Sequence, residues 1–209
     1  MRPHDLHALA HRRLLAIDLG ARFIGLAART CVLRGAFPCG LIQGKPKRTR
    51  DIQLSGGATV SEELQWTLQR VDERALLMGH TKKLSPPSGR TSRHSTQADA
   101  LATALAEHQA DAAVVGMPYH ADGSRSRECA IVERHVAALQ AAWPTPVPVL
   151  FWDESFSTRR VVGARTPPKG SKRDRASHAL AACLILEEVL EMLRPLEEAA
   201  QANVRNPRT

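Results

Sequence analysis

The sequence predicts an α/β fold built on a mixed sheet, and three observations carry that expectation. Apolar runs with strand character fill the stretch from Leu14 to Phe37, spaced closely enough for a three-stranded antiparallel meander. Two later runs, Ala112 to Pro118 and Val147 to Trp152, suit fully buried strands. An alanine-rich helical segment, Ala98 to Gln109, leads into the first of them, and a helix-then-strand order implies a crossover into a parallel position. The expected architecture is five strands, three antiparallel and two parallel to the first, flanked by helices.

The opening strand carries the first chemical signal. In LLAIDLGARFIGLA, Leu14 to Ala27, an apolar run ends on the carboxylate of Asp18, and Gly20 follows. A strand that is otherwise buried does not carry an acid unless the acid is solvated, paired or holding a metal. The alternative is that Asp18 only begins a turn before a glycine. Phe23 to Thr30 and Cys31 to Phe37 read as the second and third strands.

Composition narrows the partner. The 209 residues hold 29 Lys and Arg against 21 Asp and Glu, a formal net charge of +8, which favours an anionic partner and nucleic acid first. The same charge also serves solubility alone. Cys31, Cys39, Cys129 and Cys183 are far apart with no CxxC spacing, so neither a zinc knuckle nor a disulfide framework is expected. Free thiols fit a reducing compartment. No apolar run approaches the roughly 18 residues of a membrane span. The basic opening MRPHDLHALAHRR resembles an organellar transit peptide mildly, so the expected location is an organelle (mitochondrial) matrix or a bacterial-type cytoplasm.

From Gln43 to Gln97 the character changes. Two polar basic stretches, Gly44 to Asp51 and His80 to Ser95, flank a segment in which Leu64, Leu68, Val71 and Ala75 recur at helical spacing. Thr59 and Glu62 have capping-box spacing. The expectation is a long basic insertion with one amphipathic helix. Its Lys45, Lys47, Arg48, Arg50, Lys82, Lys83, Arg90 and Arg93 could neutralise phosphates, or the segment could be a solvated linker.

Past the Ala112 strand, the DGS turn (Asp122 to Ser124) precedes a helix with Ile131, Val132, His135, Val136 and Leu139 on one face. Its start, with Arg125 and Arg127, is either a phosphate seat or a plain turn and N-cap. The Val147 strand ends in Asp153 and Glu154, which point to opposite faces, so only one of them can share a site with Asp18. A basic loop with Lys169 and Lys172 then feeds a strong helix from about Asp174 to Leu193. Asp174 and His178 are four apart on one face of it, though an N-terminal acid and an ordinary half-buried histidine would look the same. The tail from 195 to 209 reads as frayed.

Four of these stretches, AIDLGARFIGLA, VVGMPYHADGS, VLFWDESFST and HALAACLILEEVL, fall in the order of motifs in the YqgF/RuvX family. The chain resembles these Holliday-junction-resolvase-like proteins, also described as candidate pre-16S ribosomal RNA nucleases. The resemblance covers most of the chain outside Gln43 to Gln97. It implies one RNase H-like domain over residues 1–209 and a cluster of carboxylates holding two Mg²⁺ or Mn²⁺ ions for phosphodiester hydrolysis. It places Asp18 at the first-strand acid and Glu154 at the acid of a D-E-R motif. Two positions depart from the pattern: His178 stands where the family has a helix Asp, and Ser155 where it has Arg.

The expected metal and catalytic set is therefore Asp18, Glu154, Asp174 and His178, imidazole being able to ligate Mn²⁺. Expected nucleic-acid contacts are Arg22, Ser124, Arg125, Arg127, Lys45, Lys47, Arg48, Lys82, Lys83, Lys169 and Lys172. The expected activity is a metal-dependent nuclease on structured RNA, with precursor rRNA ahead of a four-way DNA junction. The rival expectation is a catalytically weak RNA-binding ribosome-assembly protein.

Overall fold

A computed structural model describes residues 8–20, 22–29, 35–46, 64–70, 91–94, 96–120, 122–154 and 172–205. Strands β1 (Leu14–Leu19), β2 (Phe23–Arg29) and β3 (Phe37–Pro46) form the antiparallel meander. Strands β4 (Leu64–Arg70) and β5 (Thr91–His94) follow in sequence and pair antiparallel beyond β3. Helix α1 (Gln97–Glu107) then crosses to β6 (Ala112–Met117), which lies parallel to β1. Helix α2 (Arg127–Ala141) leads to β7 (Val149–Asp153), parallel to β6, and α3 (Lys172–Arg205) closes the chain. The sheet order is β5-β4-β3-β2-β1-β6-β7. The sheet has seven strands rather than the expected five: β3-β2-β1-β6-β7 keep the order and directions of an RNase H-like sheet, and β4 and β5 extend it past the β3 edge.

Alternation along the strands sorts the core into two layers. Leu15 and Ile17 of β1 face α1 and α2 and pack with Ile24, Leu26, Ile42, Leu101 and Val115. Leu14 and Ala16 face the other way, onto Ala182, Ile185, Leu186 and Val189 of α3. Each fully buried Leu or Ile contributes roughly 1.5–3 kcal/mol relative to an exposed one. Asp18 has the parity of Leu14 and Ala16, so β1 delivers it to the α3 face.

Three expectations are corrected. The third strand is Phe37–Pro46 rather than Cys31 to Phe37; residues 30–34 lie outside the described part. The stretch expected to be an amphipathic helix holds a strand, β4, over Leu64–Arg70. Leu64 and Leu68 fit a helix and also every second residue of a strand, and Trp66 between them decides for the strand, with Trp66 and Leu68 both buried. The long outer edge of β3 supplies the ladder, and leaving that edge open would expose unpaired backbone groups. Thr59, Glu62, Val71 and Ala75 lie outside the described residues. A capping box does occur, at Thr96, whose hydroxyl accepts from the Asp99 N–H while the Asp99 carboxylate accepts from the Thr96 N–H, and it starts α1. Finally, the expected frayed tail is helical as far as Arg205, with Pro195 inside α3. Glu197 anchors this extension, accepting from the buried Arg29 guanidinium at 2.6 Å and from the His11 N–H at 2.9 Å.

Candidate active site at the carboxyl end of the sheet

Two strands and one helix converge at Asp18. The acid is 7% exposed, and its Oδ2 lies 2.5 Å from Nδ1 of His178 on α3. Glycine makes the approach possible. Gly25 of β2 is the cross-strand partner of Asp18, and a Cβ built there would overlap the His178 carbonyl and crowd the Ala179 nitrogen. The bare backbone at Gly25 lets α3 rest directly on the sheet and sets His178 over Asp18. The Phe23 ring lies 6.0 Å from the imidazole and flanks it.

Glu154 enters from the end of β7. Its backbone N–H donates to the Met117 carbonyl at 3.0 Å, which carries the β6–β7 pairing one step past Asp153. Gly116 of β6 makes room for its side chain, because a Cβ at that position would overlap Oε2 of Glu154 and press on Ile185 at 2.8 Å. Of the two adjacent acids, Asp153 is exposed and Glu154 is drawn in. Burial pushes the Glu154 carboxyl up to about 7; the charges of Asp18 and Asp153 add to the rise and His178 works against it. Asp18 and Glu154 are therefore electrostatic neighbours reached from opposite sides of β6.

Of the four expected ligands, Asp18 and His178 are in contact, and Glu154 at the end of β7 is close enough for its carboxyl to feel their charges. Asp174 lies on α3 one turn before His178, with its side chain outside the described part, as is the whole of Ser155. The donor types suit a hard divalent cation, whose charge would offset the burial, and with it the neighbouring Asp18 charge, that hold Glu154 near 7. Among the described residues, no group of three or more His, Cys, Asp or Glu is gathered closely enough to hold a metal ion. One oxygen of Asp18 is already engaged by His178.

The expected nucleic-acid contacts divide. Arg22 sits exposed in the β1–β2 turn, and Lys45 is exposed on β3. Asp122 and Ser124 form a closed turn: hydrogen bonds from the Ser124 side chain and from its N–H, the latter to Asp122 Oδ1 at 2.9 Å, hold the Asp122 carboxyl below its usual range. Gly123 occupies the left-handed region at φ 79°. Ser126 caps α2, donor Cys129 N–H at 3.3 Å, so the turn and N-cap account for this segment structurally. Arg125 is tied to Glu133 at 2.6 Å, while Arg127 is exposed. Lys47, Arg48, Lys82, Lys83 and Lys169 lie outside the described residues, as does the side chain of Lys172.

Sequence reasoning missed how the glycines build this site. Gly25 and Gly116 were visible inside the motifs, but only the packing shows that one seats α3 and the other admits Glu154.

Sheet order and acid placement together define an RNase H-like protein with its candidate acids at the carboxyl ends of the parallel strands β1 and β7. The RuvX family, described as Holliday junction resolvase, matches residues 77–192, and the chain belongs to that family. A protein of Albidiferax ferrireducens named a candidate pre-16S rRNA nuclease is 34% identical over 93 residues, 44% of this chain and 53% of that protein. One of the same name from Pseudomonas fluorescens is 37% identical over 90 residues, 42% of this chain and 61% of its own length. The chain thus spans between half and two thirds of these relatives. A solved structure of Thermus thermophilus RuvC in complex with a Holliday junction substrate aligns over 88% of this chain and 95% of its own, at 14% identity and a TM-score of 0.37. That likeness is too distant to build on.

Proposed function

We propose that the chain is a phosphodiesterase that cuts structured RNA, with the end of a precursor rRNA as its substrate. The observation that carries this reading is the placement of a buried Asp18 and of Glu154 at the carboxyl ends of β1 and β7, on the two sides of β6, with the Glu154 side chain admitted over Gly116. The names of the bacterial relatives support the rRNA substrate, and their bacterial origin supports a bacterial-type cytoplasm over an organelle matrix. No helix among the described residues is long and apolar enough to cross a membrane.

Asp18 and Glu154 would hold Mg²⁺ or Mn²⁺, with His178 and Asp174 as further donors. Such an ion, when bound, activates a water and stabilises the leaving oxygen of a phosphodiester. The residues of the chain do the rest. His178 fixes the rotamer of Asp18 through the contact at Oδ2. Glu154, with its carboxyl near 7, exchanges a proton at neutral pH while no cation is bound. Arg22 and Lys45, exposed on neighbouring elements, are cations for the phosphate backbone.

A second reading rests on the same contact. His178 occupies Oδ2 of Asp18, which leaves less of the carboxylate for a metal and favours a weakly catalytic RNA-binding protein of ribosome assembly. Cleavage of a precursor 16S rRNA end and of a synthetic four-way DNA junction, side by side in Mn²⁺, separates the readings. The nuclease reading expects RNA cleavage that exceeds junction cleavage and disappears in Asp18→Asn. Tight RNA binding without cutting would establish the second reading, and preferred cutting of the junction would make the chain a DNA resolvase.

A further inference from the structure

A cavity of about 340 Å³ opens at the carboxyl end of β1 on the face opposite α3. Leu19 and Gly20 form one wall, Trp66 of the inserted strand β4 another, and Ile131 and His135 of α2 a third. Gln97 at the start of α1 completes it, with its Oε1 2.6 Å from His135 Nε2.

Three features make this cavity more than a packing gap. Its walls are mainly apolar and include an indole, while its polar groups are gathered in one pair, Gln97 and His135. Ile131 remains 51% exposed at its edge although α2 has room to bury its apolar residues, as Val136 and Leu139 show. It also shares a wall with the candidate active site: a Cβ on Gly20 would come within 2.8 Å of His178 Cε1. A group seated against Gly20 therefore lies one residue's thickness from the Asp18–His178 pair.

A nucleobase has this chemistry, with two apolar faces and a polar edge, and the cavity falls in the size range of small-ligand sites. We propose that the cavity receives one unstacked base of a single-stranded RNA segment whose phosphodiester lies at Asp18 and Glu154. The assignment rests on the nuclease reading and adds a position-specific contact to it. The apolar walls enclose the base faces, and the Gln97 amide and the His135 ring meet its edge. Arg22, exposed in the turn that Gly20 begins, supplies a cation for the connecting phosphate. Because Trp66 comes from the inserted strand, the insertion helps to build the substrate site itself.

The test uses the full chain in metal-free buffer, so that no strand is cut. The probe is a short single-stranded RNA in which one abasic ribose is stepped through every position. The expected result is one position at which removing the base weakens binding roughly tenfold, the size of a single base-stacking contact. Ile131→Ser and Gln97→Leu, both on accessible surface, should reduce that ratio to near one while leaving the affinity for the abasic strand unchanged. Binding that ignores the missing base at every position would overturn the cavity assignment and leave the nuclease reading standing. A position effect that survives both substitutions would place the base elsewhere and equally overturn it. Failure of the unmodified protein to bind or cleave any RNA would overturn the nuclease reading and the cavity assignment together.

Discussion

His178 Nδ1 stands 2.5 Å from Asp18 Oδ2, across 160 residues of sequence, and the two are brought there by a residue with no side chain. Gly25 faces Asp18 across the β1–β2 ladder and carries the α3 backbone at His178. Gly25→Ala would force the helix away from the sheet or distort β2. Overpacking of this kind costs about 1–3 kcal/mol, read as a lower urea midpoint, and RNA cleavage should fall with it. Wild-type stability and activity in this variant would show that α3 tolerates a different seat.

The family resemblance makes His178 itself a test of the site. His178→Asp places a carboxylate where the family has one and removes the imidazole from Asp18. Divalent-cation affinity should rise, and cleavage with it. No gain in a protein that binds the cation would show that Asp174 already fills the role.

Glu154 predicts an unusual pH dependence. Its folded carboxyl titrates at about 7 against an ordinary 4.5, so the folded state holds a proton that the unfolded chain releases between those values. The contribution to stability is complete below about 4.5 and is lost as pH rises through 7. Glu154→Gln removes the burden, and at pH 8 without metal it should stabilise the protein by on the order of 2 kcal/mol, with little change at pH 4. Chemical denaturation at both pH values checks this, and a variant no more stable at pH 8 would mean that the Glu154 carboxylate is solvated.

Asp111 gives the opposite sign at the far end of the sheet. Arg13 donates to both its oxygens, at 2.8 and 3.1 Å, and holds its carboxyl at about 2 against 3.8. Its contribution is present above about 3.8 and lost as pH falls toward 2. With both side chains about a quarter to a third exposed, Arg13→Leu should cost only about 1 kcal/mol at pH 7. The loss should vanish near pH 2, as followed by acid-dependent unfolding.

Strand β4 is part of the core. Leu68 is 1% exposed between β3 and α1, so Leu68→Ala should cost about 2–5 kcal/mol. A cost near zero would make β4 an appendage.

What the sequence disclosed depended on how local each signal was. Strands β1, β2, β6 and β7 were legible because their apolar runs are short and bounded, whereas β3 was expected at Cys31 to Phe37 and lies at Phe37–Pro46; Asp18 stood out as an acid ending such a run. Glu154 was separable from Asp153 only by its partner across β6, which alternation limits but does not choose. The Leu64 to Arg70 stretch was misread because Leu64 and Leu68 satisfy both periods, and the pairing partner that decides lies in β3. The tail was misread because its anchor, Arg29, is far away in sequence. The cavity at Gly20 draws on four elements, and no motif within any one of them announces it.

The most direct test of the central claim is Mn²⁺ binding, followed by electron paramagnetic resonance, in the wild-type chain, Asp18→Asn and Glu154→Gln. The account predicts a bound ion in the wild type that is lost or greatly weakened in both variants while their folds persist. Equal binding in all three would contradict it and move any metal away from the Asp18–Glu154 point.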